Sequence, residues 1–558
     1  MRAVVLVGAL AYLGAGGAAQ SALSQQTLQQ LFAAGNWSGI VHRMDPLKAR
    51  NADQDYYYGM ALAHLGRWHA AREALEAGRR LAPGDVRFPV ELAGVAFNGK
   101  EYPLAARRLR QALRIDPKDE YANNFLGTVF FLEGNLIAAL KYWNRVGKPE
   151  IDAVQYEPVP KVSPVLLDRA FEFSPASTLL LPEFLSTKAR IRGLGVFPEY
   201  QLELDALPNG HFNADFRNDE MDGLGSGKLE ALFRVLRGVG FQEIDPDYSN
   251  FHHKAINFDS IFRWDAQKRR IFVHVSGPLE GGAKYRWNLA ADLRDENWAI
   301  RSSFTGAAPV LAGFNMRTGT VGFSLASYAS ERWSWSAGGR VSHRGFRNVS
   351  AGAVLTPQML SNGYELKQTA RFDATVWRVP ERRFEADTAL GSEAARLWSD
   401  PQRGFEKLTG EVAWHWFPRA AGDDYETRES FRAGRTLGQP PFDELFILGL
   451  ERDNDLPMIA HIGTRDGRKG SAPLGRDYFL EHWETNKNII GLGPVGVRLA
   501  PVVDIGKITD PGTGLGSHQW LFDAGAEAKL RVFSTGLVFS YGRDLRSRNN
   551  AFYVTLLK

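Results

Sequence analysis

At 558 residues the chain is too long for one ordinary domain, and a formal charge of +4 gives no reason to invoke nucleic acid. The absence of cysteine excludes disulfides, thiolate chemistry and Cys-ligated zinc or iron–sulfur centres. Hydrophobic residues at 44%, aromatics at 12% and 56 glycines exclude a disordered chain and suit a many-stranded protein with numerous turns.

The N-terminus carries a three-part export signal. Met1-Arg2 is a positive start, Val4 to Leu13 a short apolar core, and Gly16-Gly17-Ala18-Ala19 a run of small residues before Gln20. This predicts a signal peptide over 1–19, cleaved after Ala19. The apolar run is shorter than the roughly 20 residues a membrane helix needs. No long apolar stretch follows, so any membrane span must be built from strands.

Residues 24–150 are helical by pattern and repeat with a period of 34. Gly59, Ala71, Leu75 and Pro83 recur as Ala93, Ala105, Leu109 and Pro117, and again as Gly127, Ala139 and Trp143, with Ile151 where the proline would fall. Small residues at these spacings let antiparallel helices approach closely, and proline ends the second helix of each pair. The region resembles the tetratricopeptide repeat (TPR), and "LQQLFAAGNWSGIV" suggests a degenerate fourth unit. The resemblance implies a groove that binds polypeptides.

After the proline-rich "YEPVPKVSP", read as a linker, "VLLDRAFEF" reads as a strand and "LLPEFLSTKARIRGLGVF" as a helix ending in glycine. "EYQLELDAL" and "HFNADFRNDE" alternate as a hairpin around "PNG". The span 161–222, with Leu194, Gly195, Val196 and Phe197 closing the helix and Asp219-Glu220 closing the hairpin, resembles the second half of a polypeptide-transport-associated (POTRA) domain. Residues 223–253 read as a linker. Within it "GLGSGK" fails as a phosphate loop, because Asp222 stands where the first glycine belongs and Leu229 where Ser/Thr belongs.

From 254 to 558 the dominant period is two. In "YRWNLAADLR", Tyr285, Trp287, Leu289 and Leu293 oppose Arg286, Asn288, Asp292 and Arg294; in "WLFDAGAEAKLRV", Trp520, Phe522 and Leu530 oppose Asp523, Glu527, Lys529 and Arg531. Strands of about nine to eleven residues with aromatic ends predict an antiparallel transmembrane β-barrel of about 16 strands. One stretch, Leu450 to Ile489, is too long and polar for a hairpin. Its basic run carries Arg465, Gly467, Arg468, Lys469 and Gly470, and Trp483-Glu484 reads as the start of the returning strand.

This loop resembles the lumen loop of the BamA-like outer-membrane insertase and translocase superfamily. That family's loop carries an Arg-Gly-aromatic tip; here Met458-Ile459-Ala460-His461 stands at that place, leaving Arg465 or Arg468 as a substitute cation. The fold class expected is therefore multidomain: an all-α TPR solenoid, a small α+β POTRA-like domain and a C-terminal antiparallel transmembrane β-barrel. The resemblance implies a Gram-negative outer-membrane protein with periplasmic N-terminal domains that assembles, inserts or translocates polypeptides, its partners being membrane lipid and periplasmic polypeptides. The alternative is an export porin for polysaccharide or other solutes with a repeat-helical arm. No catalytic, cofactor or metal site is expected. His252-His253 would point to opposite faces of a strand, and the acidic "ERDND" (451–455) reads as solvated.

Overall fold

A computed structural model describes residues 27–225, 232, 238–301, 308–350, 354–398, 402–419, 425–490, 495–510, 514–532 and 535–557. The expected export signal and Ser226–Lys228 of the glycine-rich stretch lie outside them. The chain divides into two compact units, residues 1–149 and 150–558.

The first unit is a stack of helix pairs: α1 (Trp37–Met44), α2 (Ala52–His64) with α3 (Trp68–Leu81), α4 (Arg87–Asn98) with α5 (Tyr102–Ile115), and α6 (Glu120–Leu132) with α7 (Leu136–Trp143). Gly59, Ala71, Ala93, Ala105, Gly127 and Ala139 are all buried between helices. The reason for their size is direct: a Cβ on Gly59 would sit 2.6 Å from Leu75 Cγ, and one on Gly127 2.3 Å from Trp143 Cδ1. Pro83 and Pro117 are exposed just beyond α3 and α5, where proline cannot extend a helix. Leu28, Ile40 and Val41 of the degenerate segment join the core of the first full unit.

The second unit begins with a four-stranded sheet: β1 (Glu150–Glu157), β2 (Ser177–Thr178), β3 (Glu199–Ala206) and β4 (Phe212–Asp219), in the order β2-β1-β4-β3. Two expectations are corrected here. The segment read as the end of the repeats and a proline linker is a full strand, β1, parallel to β4. "VLLDRAFEF" contains a helix, α8 (Pro164–Ala170), because Pro164 occupies its first turn and Leu166, Leu167 and Ala170 bury one side. The second helix, α9 (Leu181–Leu194), ends at Gly195 in the left-handed conformation (φ 64°). The core centres on fully buried Phe216, whose ring lies 5.3 Å from Phe197 and 5.8 Å from Phe171.

The rest is a closed barrel. Its long strands are β7 (Ile256–Arg263), β8 (Lys268–Pro278), β9 (Tyr285–Arg301), β10 (Val310–Ser327), β11 (Trp333–Ser350), β12 (Gly363–Val379), β13 (Phe384–Trp398), β14 (Arg403–Trp416) and β15 (Tyr425–Gly438), then β20 (Asp477–Ile490), β21 (Val495–Thr509), β22 (Leu521–Val532), β23 (Thr535–Asp544) and β24 (Asn550–Leu557). With short strands included, the barrel sheet holds eighteen among the described residues. Several strands run 14–18 residues rather than nine to eleven, because they continue past the hydrocarbon layer. The presumed linker before residue 254 also contributes wall: β5 (Glu243–Ile244) and β6 (Tyr248–Phe251) pair with β7. His252 and His253 lie in the turn after β6 with φ of 53° and 60°, not on a strand.

Alternation sets the two faces. Leu289, Leu293, Val321, Phe323 and Val341 face outward and are exposed, whereas Asp292, Arg294 and Arg344 face the lumen. Exposed Tyr285, Trp333, Trp377 and Trp416 ring the end nearer the small α+β domain; Tyr364, Trp398 and Trp520 ring the other. An apolar outer band between two aromatic girdles is the surface a bilayer requires.

The small domain and the barrel mouth are joined by polar contacts. Arg286 of β9 donates to the carbonyls of Gly193 and Leu194 at 3.1 and 2.8 Å, and Asn257 of β7 donates to those of Leu194 and Gly195. These bonds satisfy the last carbonyls of α9, which no helical N–H can reach. A Cβ on Gly193 would lie 2.6 Å from Tyr328.

Gly127→Val forces a branched side chain into the Trp143 ring. It is expected to cost about 1–3 kcal/mol, seen as a lower melting midpoint of the helical ellipticity with the barrel signal unchanged. An unaltered helical melt would show that this glycine does not set the helix spacing.

Candidate functional site

The long loop begins earlier than the sequence suggests. It leaves β15 after Gly438 and rejoins the wall at Asp477, so Glu484 lies mid-strand in β20 and not at its start. The loop folds into the barrel and is strapped to the wall at four places.

Its root is the turn Phe442–Glu444. Phe442 is 1% exposed, and its ring meets those of Trp298 (5.1 Å) and Phe314 (5.0 Å) in an apolar cluster inside the lumen. Beside it Arg344 reaches Asp443 at 3.1 Å and Glu365 at 2.7 Å, while Lys367 reaches Glu444 at 2.6 Å.

The second strap is the acidic run "ERDND", which is paired rather than solvated. Asp453 accepts from Arg263 (2.8 Å) and Arg270 (2.5 Å), and Lys268 lies 3.3 Å from Glu451. Thr464 also donates to Glu451.

The third strap is the tip, Met458 to His461. The Ile459 N–H donates to Asp504 Oδ2 at 2.7 Å and the Ala460 N–H to Asp523 Oδ2 at 2.8 Å. His461 Nδ1 lies 2.9 Å from the same Asp523 oxygen, with both side chains at most 1% exposed. His482, on β20, closes over Asp504 at 2.6 Å. These wall residues form one transverse row, since His482 faces Asp504 across β20–β21 and Asp504 faces Asp523 across β21–β22. Glycine makes room for the tip: a Cβ on Gly542 would lie 2.5 Å from the Ile459 carbonyl oxygen.

The fourth strap is the returning hairpin, Thr464–Arg465 with Arg468–Lys469. Lys469 pairs with Glu296 at 2.7 Å, both buried. Gly467 and Gly470 have φ of 76° and 109°, and a Cβ on Gly470 would lie 2.9 Å from the Ala299 oxygen. Arg468 reaches only Gln267, at an exposed 3.3 Å, and Arg465 lies on the same hairpin rather than at the tip. The contact with acidic lumen groups expected of Arg465 or Arg468 is made instead by Lys469, with Glu296, while His461 hydrogen-bonds Asp523 at the tip. Glu484 faces Lys529 at 2.5 Å, away from the tip.

Asp523 was legible as a polar-face residue of its strand, and His461 as the end of the tip segment. Their contact was not, because it joins residues 62 apart in sequence. Between loop and wall remains a cavity of about 630 Å³ lined by Arg340, Glu393, Lys407, Glu411 and Arg432. A second cleft, of about 1310 Å³, lies between the small domain and the barrel mouth, with Tyr200 and Arg217 on one side and Arg498 and Lys529 on the other.

No family model and no curated protein matches the chain. Among solved structures, CdiB from Escherichia coli is similar at 13% identity over 74% of this chain and 75% of its own (TM-score 0.46). BamA from Haemophilus ducreyi lacking POTRA domains 1–3 is similar at 12% identity over 73% and 84% (TM-score 0.42). The repeat region is similar to MamA, at 19% identity over 21% of this chain and 71% of that one (TM-score 0.21).

His461→Ala removes the buried hydrogen-bond partner of the Asp523 side chain, a loss of about 1–3 kcal/mol for a buried polar group left unsatisfied. Planar-bilayer recordings should show a larger and noisier conductance than wild type, and the folded barrel should denature at lower temperature on gels. Unchanged conductance and heat stability would mean that the tip is held by other contacts.

Proposed function

We propose that the chain is an outer-membrane β-barrel that assembles, inserts or translocates polypeptides, with its repeats and small α+β domain on the periplasmic side. The observation that carries this reading is the loop: four buried, charge-complementary straps fill the lumen, which suits a gated device rather than an open conduit. The small domain supports it. Residues 150–222 form a sheet with two helices, not a plain linker, and its β3 is an edge strand with free ladder positions beside the cleft at the mouth. Unpaired edge groups accept an extended chain as an added strand. The barrel seam adds a route into the bilayer. β24 lies beside the two-residue strand β5 in the closed strand order, a far shorter neighbour than the long wall strands have. The role needs no nucleotide and no catalysis.

The natural absence of cysteine makes the test clean. A photo-crosslinker on β3 or on the first helices of the repeats, in intact cells, is expected to trap unfolded outer-membrane or secreted polypeptides. Recovery of polysaccharide machinery instead would favour the porin reading. A cysteine pair joining β5 to β24 is expected to block polypeptide transfer until reduced. Full activity of the oxidised protein would remove the seam from the mechanism.

A further inference from the structure

Helices α2, α4 and α6 are the first members of the three repeat pairs, and Phe97 of α4 with Tyr121 and Phe125 of α6 form an aromatic strip beside Glu91. On α2, Tyr56 donates its hydroxyl to Glu91 Oε1 of α4 at 3.3 Å. On α6, Tyr121 is 64% exposed, feels the Glu91 charge and packs its ring 5.9 Å from Phe125. Phe125 continues the strip to Phe97 at 5.2 Å. The cation nearest in sequence, Arg87, holds Asp53 at 2.8 Å and Asp85 at 2.6 Å and lies over the Tyr56 ring, 4.7 Å from its centroid, so that ring face is already occupied. Glu91 is therefore a half-buried carboxylate set among phenol rings, with a phenol as its hydrogen-bond partner and no ion-pair partner among the described residues. Burial holds its carboxyl above the ordinary range.

We infer that Glu91 and Tyr121 form a receptor for one lysine or arginine side chain of an extended polypeptide, with Tyr56 positioning the Glu91 carboxylate. This rests on the reading that the repeats take up polypeptide. The charged head would pair with Glu91, recovering what desolvation costs the carboxylate. The exposed Tyr121 face attracts a cation, and its aliphatic stem would lie along Tyr121 and Phe125. A neutral side chain gains only the apolar part, and an acidic one is repelled. Selection is thus for apolar segments punctuated by a basic residue. Because Glu91 must be ionised to act, affinity for the basic segment rises as pH climbs through its raised titration range.

The test uses the full-length protein in lipid nanodiscs and a fluorescein-labelled octapeptide of alternating serine and leucine with one central lysine. Twin peptides carry norleucine or glutamate instead. Fluorescence anisotropy is expected to show the lysine peptide binding about tenfold more tightly than the norleucine twin, a gain typical of one charge-assisted contact. Glu91→Gln, which keeps shape and removes charge, should abolish that preference and its pH dependence. Tyr121→Leu should weaken lysine-peptide binding roughly threefold. Binding of all three peptides alike, or a lysine preference that persists in Glu91→Gln, overturns the inference while leaving polypeptide uptake standing. Failure of every peptide to bind overturns both.

Discussion

The barrel interior depends on charge complementarity between one loop and the wall that surrounds it. The loop presents Asp443, Glu444, Glu451 and Asp453 to a wall bearing Arg344, Lys367, Lys268, Arg263 and Arg270, then reverses sign and presents Lys469 to Glu296, while His461 hydrogen-bonds Asp523. In a buried setting each pair must be matched, because a lone charge there costs several kcal/mol. An alternating pattern of this kind fixes register: a slip of the loop along the wall would bring like charges together. The apolar root at Phe442 adds packing but little direction, and the ion pairs supply the direction.

The outward face obeys the opposite rule. There lipid replaces water, backbone groups must be paired within the wall, and side chains need only be apolar or aromatic at the right height. Strand alternation separates these two demands residue by residue. Trp287 and Leu289 therefore say nothing about the lumen, and Arg286 and Asp292 say nothing about the membrane.

This separation explains what the sequence discloses. Period-two alternation exposes the barrel, and the 34-residue period exposes the helix pairs through Gly59 and Gly127, because both patterns are local. β1 was hidden because Pro149 and Pro158 flank it and its partner, β4, lies some sixty residues away. α8 was hidden because seven residues are too few to show a helical period. The straps were hidden for a stronger reason. Acidic residues in a polar loop look solvated whether or not a barrel encloses them, so "ERDND" gains meaning only once Arg263 and Arg270 stand opposite.

The same straps bear on the seam. The acidic arm holds β7 and β8, Lys469 holds β9, and the tip holds β21 and β22. These strands lie on either side of the place where β24 meets the short β5, so the loop bridges across the lumen the two sides of that seam. Widening the seam must stretch or break one of the straps. The tip is held by two N–H groups and one histidine rather than by the guanidinium pairs of the root and the acidic arm. A barrel built this way carries its latch in side chains, and one strand, β9, serves both ends: its Arg286 caps α9 of the small domain and its Glu296, ten residues on, holds the returning hairpin.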